Sequence, residues 1–273
     1  MLIDCKSIAQ SIDTETMLLL TKVPCKPKLL SISVRPDDGT ISYLKSQKKK
    51  ADSLGIEYEM TFLQSVSELE NKLVEASENR SIHGIFVSHP LPPEIDETKI
   101  AALIDPKKDV EGRNPLNMGY LVYGYEEFSP CTAAAAVRIL TATTDLAGKK
   151  VAVVGRSTTV GLPVAIMLLR RDRSATVTVC HSKTKDLGEI TKNADAVVIA
   201  VGKAGFLTPE MIREDCIVID VGINVIDGKV VGDADKRLEE KARVTPVPGG
   251  VGVVTTSILM NRVVKSALRG EKS

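Results

Sequence analysis

Short, nearly continuous apolar runs alternate with amphipathic stretches along the whole chain. KLLSISV (28–34), YEMTFL (58–63) and HGIFVSH (83–89) predict strands, with helices between them over 41–54 and over SELENKLVEASENR (67–80). The rhythm restarts after residue 145 with KVAVVG (150–155), TVTVCHS (176–182), ADAVVIAVG (194–202) and CIVIDVG (216–222). Near-continuous apolar strands separated by helices are buried on both faces, so the pattern predicts parallel sheets covered by helices, an α/β fold. The alanine-rich segment SPCTAAAAVRILTATTDLAG favours helix and places a boundary near 128–146. A last helical pattern, TTSILMNRVVKSALRG (255–270), follows the turn PVPGGVG (246–252). Two linked α/β units leave a cleft between them, the usual place for a ligand.

Composition narrows the function. The 273 residues suffice for two modest domains. Lys plus Arg total 36 against 35 for Asp plus Glu, so no basic field draws the chain to nucleic acid or to an anionic membrane. Tryptophan is absent and aromatics are 3%, which leaves few stacking platforms for single-stranded nucleic acid. The five cysteines are scattered without a C-x-x-C pair and histidines number three, so no metal site is expected. Neither a signal-peptide pattern nor an apolar run of about 18 residues is present, and the reading is a reduced cytoplasmic protein.

VAVVGRSTTVGLPVAIMLL (151–169) reads as strand, glycine turn and helix. Gly155 can bend the chain, Gly161 permits close approach, and the amides opening the helix can face a pyrophosphate. The pattern is G-x-S-x-x-x-G, and an ordinary strand-turn-helix is the alternative. NAD-preferring folds place an acid about 20 residues on. Here CHSKT (180–184) offers His181, Ser182 and Lys183, which with Arg156 suit a 2′-phosphate and favour NADP; solvated surface charge is the alternative. VSHPLPPEID (87–96), DPKKDVEGRNPLNMGYL (105–121) and TPVPGGVGVVTTS (245–257) have the composition of ligand loops, and each alone could be an ordinary loop.

Together these stretches resemble the bifunctional methylenetetrahydrofolate dehydrogenase/methenyltetrahydrofolate cyclohydrolase family. SYLKSQKKKADSLGI, GIFVSHPLPPEID, DPKKDVEGRNPLNMG, SPCT, GKKVAVVGRSTTVGLPVA, VTVCHSKT, ADAVVIAVGK, VIDVGIN and PVPGGVG follow the family's order and spacing over essentially the whole chain. The resemblance implies a folate-binding catalytic domain over 1–127, completed by the helix 255–273, and a Rossmann-type NADP-binding domain over 128–254. It implies a homodimer that oxidises 5,10-methylene-tetrahydrofolate with NADP and hydrolyses the methenyl product to 10-formyl-tetrahydrofolate. By matching position, Gly155, Arg156 and Ser157 hold cofactor phosphates, Ser182 lies near the 2′-phosphate, and Ile223 lies against the cofactor. Tyr43 lines the folate site.

The chain departs from the family around that folate site. Where the family has tyrosine, three residues and lysine, this chain has Gln47. The family lysine is the general acid/base of hydrolysis, and a glutamine amide has no titratable proton near pH 7. Ser88 stands in place of glutamine, His89 in place of leucine, and Glu111 in place of the aspartate of K-D-V-D-G. PCTAAAA and GGVGVVT replace Pro-Cys-Thr-Pro-x-Gly and Gly-Gly-Val-Gly-Pro-Met-Thr. Two residues are candidate substitutes for the lost proton carrier. Lys50 returns to within about 20° of Tyr43's direction, roughly 10 Å along the helix. His89 has a suitable ordinary pKa. Lys45, Lys48 and Lys49 read as the wet face of the helix. A non-catalytic or altered-substrate folate/NADP-binding homologue is the alternative function.

Overall fold

The structure, a computed structural model, describes residues 1–270, so the last three residues of the helix expected over 255–273 lie outside the described residues. The first half of the chain forms α1 (Cys5–Leu20), β1 (Lys28–Val34), α2 (Asp38–Leu54), β2 (Glu57–Leu63), α3 (Val66–Glu78), β3 (Gly84–Val87), α4 (Glu97–Leu103) and α5 (Pro115–Val122). The second half adds α6 (Cys131–Thr143), β4 (Lys150–Val154), α7 (Gly161–Leu168), β5 (Thr176–Cys180), α8 (Leu187–Lys192), β6 (Ala196–Ile199) and β7 (Ile217–Asp220). The strands β8 (Asn224–Ile226), β9 (Lys229–Val231) and β10 (Arg243–Val244) and the helix α9 (Val251–Gly270) complete it. The chain divides into two compact α/β units, one of residues 11–131 with 256 onward, the other of residues 1–10 with 132–255.

The unit of residues 11–131 is built on three parallel strands in the order β2-β1-β3. Side chains of β1 alternate between two apolar layers, as the period of a strand requires. Leu29 packs with Leu44 and Ala51 of α2 and with Met260 and Val263 of α9. Leu30 and Ile32 pack with Leu69 and Leu73 of α3 and with Ile100 of α4. Coverage of both faces explains why KLLSISV is a continuous run. Asp37 opens α2 by accepting the Thr40 N–H at 2.7 Å, and Gly55 closes it in the left-handed region at φ 79°. These two caps set which residues of α2 face the sheet.

The other unit holds five parallel strands in the order β10-β7-β6-β4-β5, with β8 and β9 as a separate antiparallel hairpin. Every residue of β6 and β7 is buried, matching their uninterrupted apolar sequence. The edges of the two units differ from a division at 127/128. Ile3 N donates to Val244 O at 2.9 Å and Leu2 bridges Val244, so the first ten residues join the strand β10 instead of residues 11–131. Cys131 packs in the core beneath α2 and α9.

Candidate active site

On α2 the buried stripe is Leu44, Gln47, Ala51 and Leu54. A polar residue in such a stripe needs partners. The Tyr58 hydroxyl, from β2, donates to Gln47 Oε1 at 2.8 Å, while Gln47 Nε2 is buried with no hydrogen-bond partner. Ser31 Oγ on β1, beside the Tyr58 hydroxyl, is buried and unpaired as well. Tyr43 lies one turn before Gln47, its ring 6.5 Å from that of Phe86. Although 43% of Tyr43 is exposed, its hydroxyl end is desolvated. Burial pushes that hydroxyl up to about 12, with Glu111 and Cys131 adding to the effect and the Gln47 amide opposing it. The Tyr43 hydroxyl thus lies within electrostatic reach of both Gln47 and Glu111.

Glu111 sits on a loop fixed from several sides. Asp109, fully buried, accepts the N–H groups of Gly112 (3.0 Å) and Asn114 (2.8 Å) and the Asn117 side-chain amide (2.8 Å). Val110 O accepts the Cys131 thiol at 3.1 Å and the buried Arg262 guanidinium at 3.4 Å, and Glu111 O accepts Cys131 N–H at 3.1 Å. Gly112 has φ 78°, and a Cβ there would come within 2.3 Å of Ser129 O, so this turn requires glycine. With its backbone pinned, Glu111 keeps 22% of its side chain exposed and has Arg113 Nη1 at 3.8 Å. Burial raises its carboxyl to about 8; Arg113 opposes the shift, and Asp109 and Glu97 add to it.

Neither candidate substitute for the lysine is arranged to shuttle protons. Lys50 is ion-paired with Asp13 of α1. That pair turns the side chain toward α1 and occupies its charge. His89 Nδ1 accepts from Arg113 Nη1 at 2.6 Å, and Arg113 Nη2 donates to Glu97 at 2.8 Å. Burial, and then the Arg113 charge, push His89 down to about 3, so the imidazole stays neutral near pH 7. Ser88 is buried and donates to Ser33 Oγ at 2.6 Å. Lys45 and Lys49 are exposed, and Lys48 pairs with Asp52 at 3.2 Å.

In the other unit the glycine turn has no room for side chains. Gly155 has φ 121° and a Cβ on it would come within 2.3 Å of Ala200 O; at Gly161 a Cβ would meet Gly155 O at 2.0 Å. The turn lies at the carboxyl end of β4 and leads into α7, the position where parallel sheets hold a nucleotide. Arg156, Ser157 and Ser182 are exposed there, and Ser157 Oγ accepts Val160 N–H at 3.1 Å. Ile223 is 69% exposed, on the segment after β7. The tight turn and the acid-free segment His181–Thr184 suit a dinucleotide with a 2′-phosphate.

The comparisons with known proteins agree with this geometry. The profile of the tetrahydrofolate dehydrogenase/cyclohydrolase catalytic domain matches residues 3–111, and that of the NAD(P)-binding domain of the same family matches residues 130–271. The chain belongs to the tetrahydrofolate dehydrogenase/cyclohydrolase family. It is 63% identical over 273 residues to the bifunctional protein FolD of Pseudothermotoga lettingae, covering 100% of both chains, and 53% identical to that of Thermotoga maritima, again covering 100% of both. Among solved structures it is similar to the bifunctional 5,10-methylenetetrahydrofolate dehydrogenase/cyclohydrolase of Thermoplasma acidophilum, with TM-score 0.93, 33% identity and 100% of both chains covered. It is also similar to the Trypanosoma brucei enzyme complexed with NADP cofactor and inhibitor, with TM-score 0.91, 32% identity and 100% and 99% coverage.

Within this family frame two carboxylates stand out that the sequence reading did not single out. Asp233 is fully buried and accepts Val201 N–H (2.6 Å), Gly202 N–H (2.9 Å), Lys203 N–H (2.8 Å) and the Asn224 amide (2.9 Å). Asp220, at the end of β7, accepts the N–H groups of Gly222 (2.9 Å), Asp233 (3.0 Å) and Ala234 (2.9 Å). They tie together the segments after β6 and β7, which carry Val201 and Ile223. Acids next to glycines in DVG and VGD were the available sequence signal. Arg262 was missed too, although a lone charge inside the apolar run ILMNRVV (258–264) marks it.

Proposed function

We propose that the protein oxidises 5,10-methylene-tetrahydrofolate with NADP and hydrolyses the methenyl product to 10-formyl-tetrahydrofolate, the second step slowed near pH 7 by Gln47. Full-length similarity to bifunctional relatives, with both domain profiles matched, carries this reading. Bound NADP supplies the acceptor for the hydride that leaves the folate methylene. Gly155 and Gly161 let the backbone approach its phosphates, Arg156, Ser157 and Ser182 provide cationic and hydroxyl contacts, and Ile223 offers an apolar surface. Tyr43 lines the folate site, Gln47 stands one turn behind it with its Nε2 buried and unpaired, and Glu111 contributes a carboxyl within electrostatic reach of the Tyr43 hydroxyl.

Hydride transfer depends chiefly on holding two rings in contact geometry, so it tolerates a neutral residue at position 47. Hydrolysis needs a proton carrier and is the step exposed to the change. We also assign the protein to the cytoplasm and to a homodimer; light scattering on the purified chain tests the homodimer. The deciding experiment mixes enzyme, NADP and methylene-tetrahydrofolate and follows methenyl-tetrahydrofolate spectroscopically. Its appearance followed by enzyme-dependent decay is the expected result. NADP binding without turnover of any reduced folate refutes the reading.

A further inference from the structure

We propose that Glu111 is the proton carrier of the hydrolytic step in this chain, filling the role for which Gln47 has no titratable group. The inference rests on the function proposed above. Titratable and charged groups from several elements surround Glu111 and the Tyr43 hydroxyl. From α2, the Tyr43 hydroxyl is pushed up to about 12 and stays neutral. From α6, the Cys131 thiol is pushed up to about 11 by burial, and its hydrogen is directed to Val110 O. From the Glu111 loop itself, Asp109 has both oxygens occupied by N–H donors, and Arg113, like Arg262 of α9, cannot give up its proton. His89, after β3, accepts from Arg113, and Glu97 of α4 is an exposed partner of that same arginine.

Glu111 differs from all of these. Among the described residues no hydrogen bond reaches its carboxylate, its nearest charged partner is Arg113 Nη1 at 3.8 Å, and that guanidinium is shared with Glu97 and His89. Its side chain is 22% exposed, so it can exchange a proton with water. The loop bonds to Asp109, Cys131 and Arg262 hold it in place.

The chemistry balances with one carboxyl. As a water oxygen bonds to the methenyl carbon, the C=N pair moves to nitrogen and the Glu111 carboxylate takes one water proton, giving a neutral carbinolamine. The hydroxyl then loses its proton to solvent as the C=O forms and the bond from that carbon to N5 breaks. Glu111 returns its proton to N5. The net change is methenyl cation plus water to 10-formyl product plus one proton.

The test measures both activities of the full-length protein from pH 6 to 9, with the uncatalysed hydrolysis subtracted. Wild type should hydrolyse methenyl-tetrahydrofolate with a rate that rises from pH 7 to 9. Glu111→Gln should lose about 100-fold or more in hydrolysis kcat, within the range of a general acid/base, and lose its pH dependence, while dehydrogenase kcat falls less than about 10-fold. Glu111→Asp, which keeps a carboxyl, should retain pH-dependent hydrolysis. Gln47→Lys should restore fast hydrolysis at pH 7 and relieve the dependence on Glu111. Equal loss of both activities in Glu111→Gln makes Glu111 a binding residue only and overturns the proposal. So does a wild type that dehydrogenates without catalysing hydrolysis. A wild type without dehydrogenase activity refutes the underlying function instead.

Discussion

Replacing Tyr58 by Phe removes one oxygen and leaves Gln47 buried with neither end of its amide paired. In the wild type the Tyr58 hydroxyl donates to Gln47 Oε1 at 2.8 Å, Gln47 is 1% exposed and Tyr58 5%. Removing one partner of a buried hydrogen bond costs the desolvation of the group left behind, so Tyr58→Phe should destabilise by ~1–3 kcal/mol. Gln47→Met conserves volume, removes the unpaired Nε2, and leaves the Tyr58 hydroxyl beside Ser31 Oγ, which has no partner of its own. It should fall within about 1 kcal/mol of wild type. In the double variant no orphaned amide remains. It should therefore be more stable than Tyr58→Phe alone by ~1–3 kcal/mol, a coupling of the size seen for contacting residues. Urea unfolding of the ligand-free protein followed by circular dichroism measures this, since the chain lacks tryptophan. If Tyr58→Phe unfolds at the wild-type urea concentration, or the double variant simply sums the two single effects, the reasoning from the unpaired amide fails.

Three other outcomes are expected. Lys50→Ala should leave hydrolysis within about twofold of wild type at every pH, because its side chain is committed to Asp13 and such partly exposed pairs contribute ~0–1 kcal/mol; steady-state assays check this. Asp233→Asn turns one accepting oxygen into a donor that faces two N–H groups, loosening the segments with Val201 and Ile223. KM for NADP should rise about tenfold, roughly 1.4 kcal/mol, while KM for the folate stays unchanged. Glu111 holds its proton to about 8 when folded against an ordinary value of 4.5. Between those pH values the folded chain binds the extra proton, so this residue's contribution to stability falls as pH rises through the window and levels above 8. Melting curves from pH 5 to 9 should show a shallower decline in Glu111→Gln.

Legibility in the sequence followed how each feature is encoded. Strands buried on both faces, such as β1, β4, β6 and β7, stand out as apolar runs, and α2 and α3 as periodic stretches. The helix α1 did not, because its buried stripe is Cys5, Ala9, Ile12 and Thr16, only one of them strongly hydrophobic. The hairpin β8–β9 is exposed and so lacks the apolar run that marks a covered strand. The pairing of residues 1–10 with β10 joins positions about 240 apart and has no local signature. At the site, Tyr43 and Gln47 on one helix face followed from the 3.6-residue period. The commitments of Lys50 to Asp13 and of His89 to Arg113 did not, since each depends on a side chain from a distant element. Angle along one helix says where a lysine could point, and only the neighbouring helix decides where it goes.

The neutral Gln47 and the raised Glu111 carboxyl belong to one charge balance. A cation at position 47 would favour the ionised form of a carboxyl facing the same tyrosine hydroxyl. Gln47 supplies no charge, and the guanidinium that does act on Glu111 stands 3.8 Å away and is engaged by Glu97 and His89. Burial therefore wins, and the carboxyl rises to about 8. A group at that value is roughly one-tenth ionised at pH 7 and half ionised at pH 8. It is a base in short supply at neutrality but close to the range where proton transfer in both directions is efficient. On the proposed reading, the neutral residue on α2 leaves a nearby carboxyl tuned toward proton transfer. The expected signature is a hydrolytic rate that rises as pH passes through about 8.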